Sequence, residues 1–476
     1  MLCIKGATSM RKAISALVAL FLLGGAATGQ AYEAFKGPLG LIQNEQEKTF
    51  KGYTLVVPEK ATISYLIDMD GNVINEWKSE YPAFYGELLP NGNLVRHAVL
   101  KNEYPQSGPF WGGFAGLIEE FDWSGKKVFE YRMYDDKHLS HHTFEVMPNG
   151  NYLLLGWEYK TYDEAVAKGL DVSNPDRTLF KEGFRRGRER AMGFWPDFIR
   201  EVDRKTGKTV WEWHVWDHIG TGPDQIDINK HVPSRVNRIH AGPDWTHFNG
   251  LAYNPKTDQI CVTSRNLMEV FVIDRKTGNI VFRWGNPANY GAGKAPSGYG
   301  DDGDQQLFGP HAPDWTPEGN ISILDNGALR PTGNYTRAVE VDPRTGKIVW
   351  EWRPKNVGAE DTNFHSGNES GAQKLPNGNW LITATRNAHA IEVTPQKEIV
   401  WEFINPVGSG NKVYSTSPRH GSLNDLIVHK CMRYGVDDPR FKGKDMSVKH
   451  PLMPEGTPNW VELLKANPAP DPFLKK

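Results

Sequence analysis

Apolar and polar residues alternate on both sides of short turns along most of the chain, a pattern typical of β-hairpins. One kind of hairpin consists of a strand, an Asp, a short turn with Gly, and a second strand that ends in an aromatic residue. Its six copies end at Trp77, Tyr131, Trp213, Trp284, Trp352 and Phe403, and the last copy lacks the Asp and the Gly. Six copies of one hairpin predict a repeat protein with about six units.

A second kind of hairpin alternates with the first, and a histidine precedes each of its tight polar turns. The pairs are His142 before 148–151, His247 before 254–258, His311 before 317–320, and His365 before 376–379. One hairpin of each kind makes four antiparallel strands, which is one blade of a β-propeller. The sequence therefore predicts an all-β fold, a six-bladed β-propeller, with a β-helix or a stacked sandwich as the competing architecture.

The two ends of the chain are expected to close the ring. The hairpin at 61–77 has no hairpin of the second kind before it. Strand-like residues from Leu426 to Tyr434 can supply the missing strands from the C-terminal side, which leaves no exposed sheet edge. We expect the propeller to be closed by pairing of N- and C-terminal strands.

The direction of the chain predicts where each connection lies. A strand that starts at a histidine runs away from it to the polar turn, and the next strand returns to the histidine side. All short turns should therefore lie on one face, and the long connections, such as 98–117 and 159–197, should lie on the other face with the histidines. Long loops above a rigid scaffold are where binding and catalytic residues are usually found.

Composition and chain ends narrow the functional class. The 476 residues carry 55 Lys plus Arg against 57 Asp plus Glu, which gives no basic surplus for a nucleic-acid partner. A basic start and a short apolar run, Ala13–Leu23, predict a secretory signal at 1–31, a propeller at 32–435 and a C-terminal extension at 436–476. We expect a periplasmic or secreted protein without stable membrane insertion after cleavage. Cys261 and Cys431 are expected to be two unpaired and partly buried thiols, with one disulfide bridge between them as the alternative.

The histidine face also collects polar residues at the ends of the returning strands. These are Arg265, Asn326 and Arg386, with Arg330 just beyond. Neutral imidazoles there can hold a metal that keeps an open position for water. The same imidazoles, together with arginine, can instead transfer an anionic group through a histidine nucleophile. Residue types alone leave both chemistries open.

Several segments resemble the bacterial aryl-sulfate sulfotransferases (arylsulfotransferases). They are Asp244-Trp245-Thr246-His247-Phe248-Asn249, Phe308-Gly309-Pro310-His311-Ala312, Leu324-Asp325-Asn326-Gly327 and Asn363-Phe364-His365-Ser366. The likeness covers about residues 50 to 435. It implies an enzyme that needs no PAPS, no metal and no other cofactor, and that moves a sulfuryl group from a phenolic sulfate ester to a phenol through a sulfohistidine.

The resemblance also implies roles for particular residues. His247 and His311 match sulfate-binding histidines, and Arg330 matches the family's arginine. His365 is the expected nucleophile, with His311 or His247 as the alternative. Asn249, Asn326, Arg265 and His142 are expected to contact the substrate.

Two departures from the family leave dimerisation and donor preference open. Only a short segment precedes the first predicted blade, where better-known members carry a strand-rich domain used in pairing, so a homodimer is a possible partner arrangement. The cysteine pair that some members use near the site is absent. The alternative functions are a metal-dependent hydrolase or lyase that uses the same central histidines, and a non-catalytic periplasmic binding module.

Overall fold

The computed structural model describes residues 37–100, 109, 111–178, 181, 184–186, 189–232, 238–417 and 423–466. The predicted signal segment at 1–31 lies outside these residues. Six antiparallel sheets of four or five strands follow one another along the chain, together with one two-stranded hairpin. The prediction of a six-bladed β-propeller is confirmed.

Four of the blades use strands from one stretch of the chain, whereas the first and the last also take strands from the opposite chain end. The first blade contains β2 (Gly52–Val56), β3 (Ile63–Ile67), β4 (Asn72–Lys78), β27 (Met432–Gly435) and β28 (His450–Pro451). The second contains β5 (Ala83–Leu88), β6 (Leu94–Val99), β7 (Gly116–Phe121) and β8 (Lys127–Arg132), and the third β9 (His138–Val146), β10 (Tyr152–Glu158), β13 (Asp197–Val202) and β14 (Thr209–His214). The fourth contains β15 (Phe248–Asn254), β16 (Gln259–Ser264), β17 (Glu269–Asp274) and β18 (Ile280–Trp284). The fifth contains β19 (His311–Trp315), β20 (Ile321–Asp325), β21 (Arg337–Asp342) and β22 (Lys347–Trp352), and the sixth β1 (Gly40–Asn44), β23 (Gly371–Lys374), β24 (Trp380–Ala384), β25 (His389–Val393) and β26 (Ile399–Ile404).

A few short elements lie in the connections. The insertion in the third blade contains α1 (Tyr162–Ala167) and the hairpin of β11 (Phe184–Arg186) and β12 (Glu189–Ala191). The helix α2 (Arg238–Ala241) precedes the fourth blade, and α3 (Trp460–Ala466) lies in the C-terminal extension. None of the described helices is long and apolar enough to cross a membrane.

Both chain ends take part in closing the ring, as the sequence predicted. β27 pairs with β2 as the first strand of the first blade, with Gly435 opposite Gly52. β1 extends the last blade through β26, and β28 extends the first blade through β4. Because Gly52–Val56 already supplies the second strand of the first blade, the C-terminal side contributes one inner strand rather than a hairpin.

In five of the six blades, a tryptophan at or near the end of the blade joins that blade to the next. The indole nitrogens of Trp77, Trp213 and Trp284 donate to backbone carbonyls in the Asp/Gly turn of the following blade, at 2.8, 2.8 and 2.9 Å. Trp352 and Trp401 make the same contact at 3.3 and 3.1 Å, and Trp401 reaches the turn of the first blade. A buried indole needs a partner for its N–H, and a turn carbonyl satisfies it.

The pairing register confirms the two faces. Ser140 at the start of β9 is opposite Gly156 near the end of β10, and His311 at the start of β19 is opposite Leu324 near the end of β20. The histidines at the first-strand starts therefore lie beside the long connections. Cys261 and Cys431 are both buried and unpaired, as expected.

Candidate active site

The first strand of several blades bends just after it starts. The register shifts there between Ala83 and Tyr85, between Phe248 and Gly250, and between His311 and Asp314. His142 and His247 have positive φ values of 53° and 46°. Strained backbone of this kind persists only where the surrounding structure holds it, and it is concentrated at functional sites.

His365 does not share the register of the other histidines. It follows the 3₁₀ turn Asp361–Phe364, upstream of Ser370, and Ser370 is the residue next to β23 that carries the positive φ. Its ring is half-buried, and its Nδ1 has no hydrogen-bond partner. The described residues include no ring contact between His365 and another histidine. The inference that all four histidines occupy one slot is wrong for His365, and its role as nucleophile stays a prediction.

Five other imidazoles gather at this end of the axis. The ring centroids of His142 and His247 are 4.8 Å apart, those of His142 and His311 are 6.5 Å apart, and those of His240 and His247 are 5.3 Å apart. His141 packs edge-on against His142 at 5.1 Å. All five rings are buried. The structure thus brings His142, His247 and His311 together, as predicted, and adds two histidines that the sequence analysis missed.

His429 is a further member that was missed. It lies just before β27, as the other histidines lie at the starts of their blades, and its ring contacts Phe84 at 4.6 Å. Both ring nitrogens are buried without a hydrogen-bond partner, and burial lowers the pKa of His429 to about 3. A buried polar group without a partner costs free energy, so these nitrogens are candidates for a hydrogen bond to a ligand or to ordered water.

Asp244 connects two of the imidazoles. Its Oδ2 lies 2.6 Å from Nδ1 of His240 and 2.7 Å from Nδ1 of His247. Although burial acts in the opposite direction, these two rings hold the pKa of Asp244 below its usual value. Each ring therefore donates its Nδ1–H to the carboxylate, and in the neutral form of such a ring Nε2 carries the lone pair.

These three residues are also the one group among the described residues in which three metal-binding atoms lie within 4.8 Å. The spacing of 2.6 to 2.7 Å between the nitrogens and Oδ2 is that of hydrogen bonds. A carboxylate that accepts from two imidazoles leaves no gap for an ion between the same atoms. The arrangement fits a pair of oriented histidines better than a metal centre.

His311 is engaged through both nitrogens. Its Nδ1 lies 2.7 Å from the side-chain oxygen of Asn326 and 3.0 Å from the carbonyl of Gly309, and its Nε2 accepts from the backbone N–H of Glu369 at 3.0 Å. The Asn326 amide donates in turn to the carbonyls of Ser366 and Glu369, at 2.5 and 2.9 Å. His311 and Asn326 thus join the fifth and sixth blades.

Asn249 links the fourth and fifth blades in a similar way. Its amide donates to the carbonyl of Pro310 at 2.8 Å and accepts from the hydroxyl of Thr263 at 2.7 Å. The predicted substrate contacts of Asn249 and Asn326 remain predictions, because both side chains are buried and already bonded to protein groups.

The candidate arginines differ in how much of their charge is already paired. Arg330 forms ion pairs with Asp325 and Asp302, and its guanidinium lies between the rings of Phe308 and Tyr335, at 4.2 and 4.5 Å. Arg386 contacts Asn368 and Glu369.

Arg265 has no carboxylate within ion-pair distance among the described residues. One N–H of Arg265 contacts Asn266 at 3.3 Å. Burial lowers the pKa of Arg265, and the charges of Asp244 and Glu369 oppose this. Of the three candidate arginines, Arg265 is therefore the one whose donors have the fewest partners among the described residues, and it can bind an anion.

A loop of the second blade covers His142. The backbone N–H of His142 donates to the carbonyl of Gly113 at 2.6 Å. A Cβ on Gly113 would lie 2.0 to 2.4 Å from three atoms of the His142 ring. Trp111 from the same loop packs on Trp157, which stacks on His141 at 3.8 Å. This loop thus helps to bury His142, and burial strengthens the electrostatic interactions of its ring.

The fold and this site define a propeller whose histidines and arginine form a candidate site for transfer of an anionic group. Residues 185–398 match the model of the arylsulfotransferase (ASST) family. Over these residues the chain matches that family of enzymes, which transfer sulfuryl groups, and the resemblance stated from the sequence is confirmed. The matched residues include His247, Arg265, His311, Arg330 and His365.

Solved structures of low identity are also similar. One is a protein of unknown function from Bacteroides caccae, with 10% identity and a TM-score of 0.46, covering 80% of this chain and 98% of that chain. Another is virginiamycin B lyase from Staphylococcus aureus, with 11% identity and a TM-score of 0.38, covering 77% and 84%. No curated protein matches the chain in sequence.

Proposed function

We propose that this protein is a PAPS-independent sulfotransferase that moves a sulfuryl group from a phenolic sulfate ester to a phenolic acceptor. The family match supports arylsulfotransferase activity, and the histidine cluster supports a sulfohistidine intermediate. We assign the nucleophile to His247 rather than to His365. Export to the periplasm or outside the cell, from the predicted signal segment, belongs to the same proposal.

The observation that best supports this proposal is the hydrogen bonding of the His247 ring. Its Nδ1 lies 2.7 Å from the Asp244 carboxylate, and its Nε2 has no partner among the described residues. An imidazole held in this way presents a lone pair and gains positive charge when it attacks, which the carboxylate stabilises.

The two half-reactions balance without a cofactor. In the first, a bond forms between Nε2 of His247 and sulfur, and the bond from sulfur to the donor phenol oxygen breaks. In the second, the acceptor phenol oxygen bonds to sulfur, the N–S bond breaks, and the released phenolic proton balances the phenolate that left in the first half-reaction. Transfer of this kind relies mainly on positioning and on charge stabilisation.

Arg265 supplies the positive charge for the sulfuryl oxygens in this proposal. Its free donors lie in the electrostatic range of Asp244, His240 and His311. A guanidinium matches a planar set of anionic oxygens better than a point charge does. His311 and Asn326 hold the neighbouring blades in place, and Arg330 orders the loop beside Phe308.

The test is mass spectrometry of protein quenched after mixing with 4-nitrophenyl sulfate and no acceptor. We expect a gain of one sulfuryl group on the peptide that carries His247, and loss of that gain in His247→Asn, since Asn tolerates positive φ. His138→Asn is the matched control, because His138 is partly exposed and outside the cluster. A gain on the His365 peptide would overturn the assignment of the nucleophile.

Repeating the same assay with and without an added phenol distinguishes a transferase from a hydrolase. Phenol release that depends on an added phenol supports a transferase. Release that is independent of acceptor and is abolished by a chelator would favour the metal-dependent hydrolase instead. Absence of any modified histidine peptide in the wild-type protein would contradict the covalent route.

A further inference from the structure

The ring of His429 is buried, yet neither of its nitrogens has a hydrogen-bond partner among the described residues. His97 is buried to the same degree, and both of its nitrogens are used within the protein. Its Nδ1 lies 2.9 Å from the carbonyl of His142, and its Nε2 lies 2.8 Å from the hydroxyl of Ser140. A buried imidazole without such partners costs free energy and adds no hydrogen bond to the fold. The nitrogens of His429 are therefore available to a ligand.

The position of His429 is determined by its main chain. Its carbonyl accepts from the hydroxyl of Thr385, next to the sixth blade, at 3.0 Å. Two residues further on, the N–H of Cys431 donates to the hydroxyl of Thr383 at 3.0 Å. These contacts hold the segment in place without any hydrogen bond from the imidazole.

Two aromatic rings of the second blade pack against the imidazole. The ring centroids of Phe84 and Tyr85 lie 4.6 and 5.8 Å from that of His429. The hydroxyl of Tyr85 donates to Glu87. Phe84 also contacts His142 at 5.3 Å, so one apolar ring touches both imidazoles. An aromatic contact at this place suits the aryl part of a phenolic sulfate.

His429 and His247 approach the propeller axis from opposite sides. His429 precedes β27, the first strand of the first blade, and His247 precedes β15, the first strand of the fourth blade. In a closed ring of six blades, two blades that are three positions apart face each other across the axis. His142 and His311, from the third and fifth blades, lie within electrostatic range of His429. The first blade thus contributes to the same histidine cluster.

This placement matters for the direction of transfer. In sulfuryl transfer, as in phosphoryl transfer, the attacking and departing atoms lie roughly in line on opposite sides of the central atom. With His247 as the nucleophile, the departing phenol oxygen lies on the side of the first blade. Arg265 follows β16 in the fourth blade, on the side of the nucleophile. The departing oxygen therefore needs a donor of its own, because negative charge develops on it.

We propose that His429 is this donor: as a neutral imidazole, it gives a hydrogen bond from its ring N–H to the phenolic oxygen that leaves sulfur. This inference rests on the proposed sulfotransferase function. In the first half-reaction the S–O bond breaks, its electron pair goes to the oxygen, and the N–H stabilises that charge while keeping its proton. In the second, the same N–H holds the acceptor oxygen opposite His247 as that oxygen bonds to sulfur.

The surroundings keep His429 in the form that this role needs. Burial lowers its pKa to about 3, and the charge of Lys430 acts in the same direction. The ring is thus neutral near pH 7, with one N–H and one lone pair in either tautomer. A ring in this form donates a hydrogen bond without losing its proton.

The test compares two sulfate donors in single-turnover bursts without acceptor. Phenyl sulfate releases a phenolate whose charge stays mainly on oxygen, whereas 4-nitrophenyl sulfate releases one whose charge spreads into the nitro group. In His429→Leu we expect the burst with phenyl sulfate to slow about 100-fold, the usual effect of removing one donor to a developing oxyanion. The burst with 4-nitrophenyl sulfate should slow much less, so the ratio of burst rates, nitrophenyl over phenyl, rises.

Further variants separate the lost hydrogen bond from a structural defect. His429→Gln keeps an N–H donor and should keep the ratio near the wild-type value. His429→Met removes the donor with a flexible apolar side chain, and it tests the same loss if the leucine variant does not fold. Neither apolar variant should unfold at a lower urea concentration than the wild-type protein, because each removes two buried nitrogens that have no partner.

His97→Leu is the matched control, because it removes a buried imidazole whose nitrogens do have partners. It should unfold at a lower urea concentration and leave the ratio of burst rates unchanged. An unchanged ratio in the apolar His429 variants, or an equal rise in the His97 variant, would overturn the inference. In either case a modified His247 peptide in the wild-type protein would still support the proposed function. Failure of the wild-type protein to form that peptide would instead overturn the function itself.

Discussion

At the scale of single residues, the site is defined by which side chains already have hydrogen-bond or ion-pair partners within the protein. Arg330 and Arg265 are both arginines at the histidine face, yet Arg330 is held by two carboxylates and two aromatic rings, and Arg265 is not. A guanidinium whose donors are used inside the protein stabilises the fold. A guanidinium whose donors are free is available to bind substrate.

Because the two arginines differ in this way, the same substitution should reduce activity at Arg265 and stability at Arg330. Arg265→Gln should lower kcat/KM for the sulfate donor about 10- to 100-fold, because a hydrogen bond to a charged group contributes about 1.5–3 kcal/mol. Arg330→Gln should instead lower the free energy of unfolding by about 1–3 kcal/mol, since Asp325 keeps Arg337 as a partner. Donor kinetics and urea unfolding of both variants measure this. The reverse pattern would restore Arg330 as the family's sulfate-binding arginine.

At the scale of elements, the loop 111–115 and strand β9 form one unit around His142. Phe114 pairs with His141, and the N–H of Ala115 donates to the carbonyl of Ser140 at 3.0 Å. Gly113 has a positive φ of 92° and lies against the imidazole. The loop therefore determines where the His142 ring lies.

A side chain at Gly113 should displace that ring. Gly113→Ala is expected to reduce the first-turnover burst by about 100-fold or more, since a misplacement of about 1 Å has effects of that size. Gly150→Ala is the matched control, because Gly150 has a φ of 86° and nothing lies within 4 Å of its Cβ position. Both variants carry the same left-handed strain, about 1–2 kcal/mol. Equal bursts in the two variants would show that the loop does not position His142.

The sequence predicted the elements better than it predicted the site. Hairpin turns and terminal aromatics are local signals, so the six blades, the closure and the histidine face followed from them. The hairpin of β5 and β6 around Asn91-Gly92 carries the same turn but was missed, because Phe84 stands where other blades have histidine. Hairpins of the second kind were therefore recognised in the sequence by their histidine more than by their polar turn.

The residues that the sequence analysis missed are brought to the site by the tertiary structure, and no local sequence signal marks them. Oδ1 of Asp197, at the start of β13, lies 3.0 Å from Nε2 of His141, yet no spacing in the sequence links the two residues. His429 precedes a strand of only four residues with no turn of its own. His365 was placed with the others by its order before a turn, whereas the bend in each first strand determines the true register.

At the scale of the whole molecule, the ring depends on a closure made by few residues. Arg433 on β27 is buried, and its guanidinium contacts Glu392 of the last blade at 2.6 Å and Thr54 of the first blade at 2.7 Å. It also lies over the ring of Trp401 at 4.3 Å. One side chain thus joins both ends of the chain across the seam of the propeller.

Loss of this side chain should open the seam. Arg433→Ala leaves Glu392 buried without its cationic partner, and removing one member of a buried ion pair typically costs about 3–5 kcal/mol of unfolding free energy. Arg344→Ala is the matched control, since Arg344 pairs with Asp342 but its side chain is 71% exposed, where an ion pair contributes about 1 kcal/mol or less. Urea unfolding followed by the fluorescence of the sixteen tryptophans measures the stability of both variants. If the two variants unfold at the same urea concentration, the closure does not depend on Arg433, and the pairing of β27 with β2 alone holds the ring.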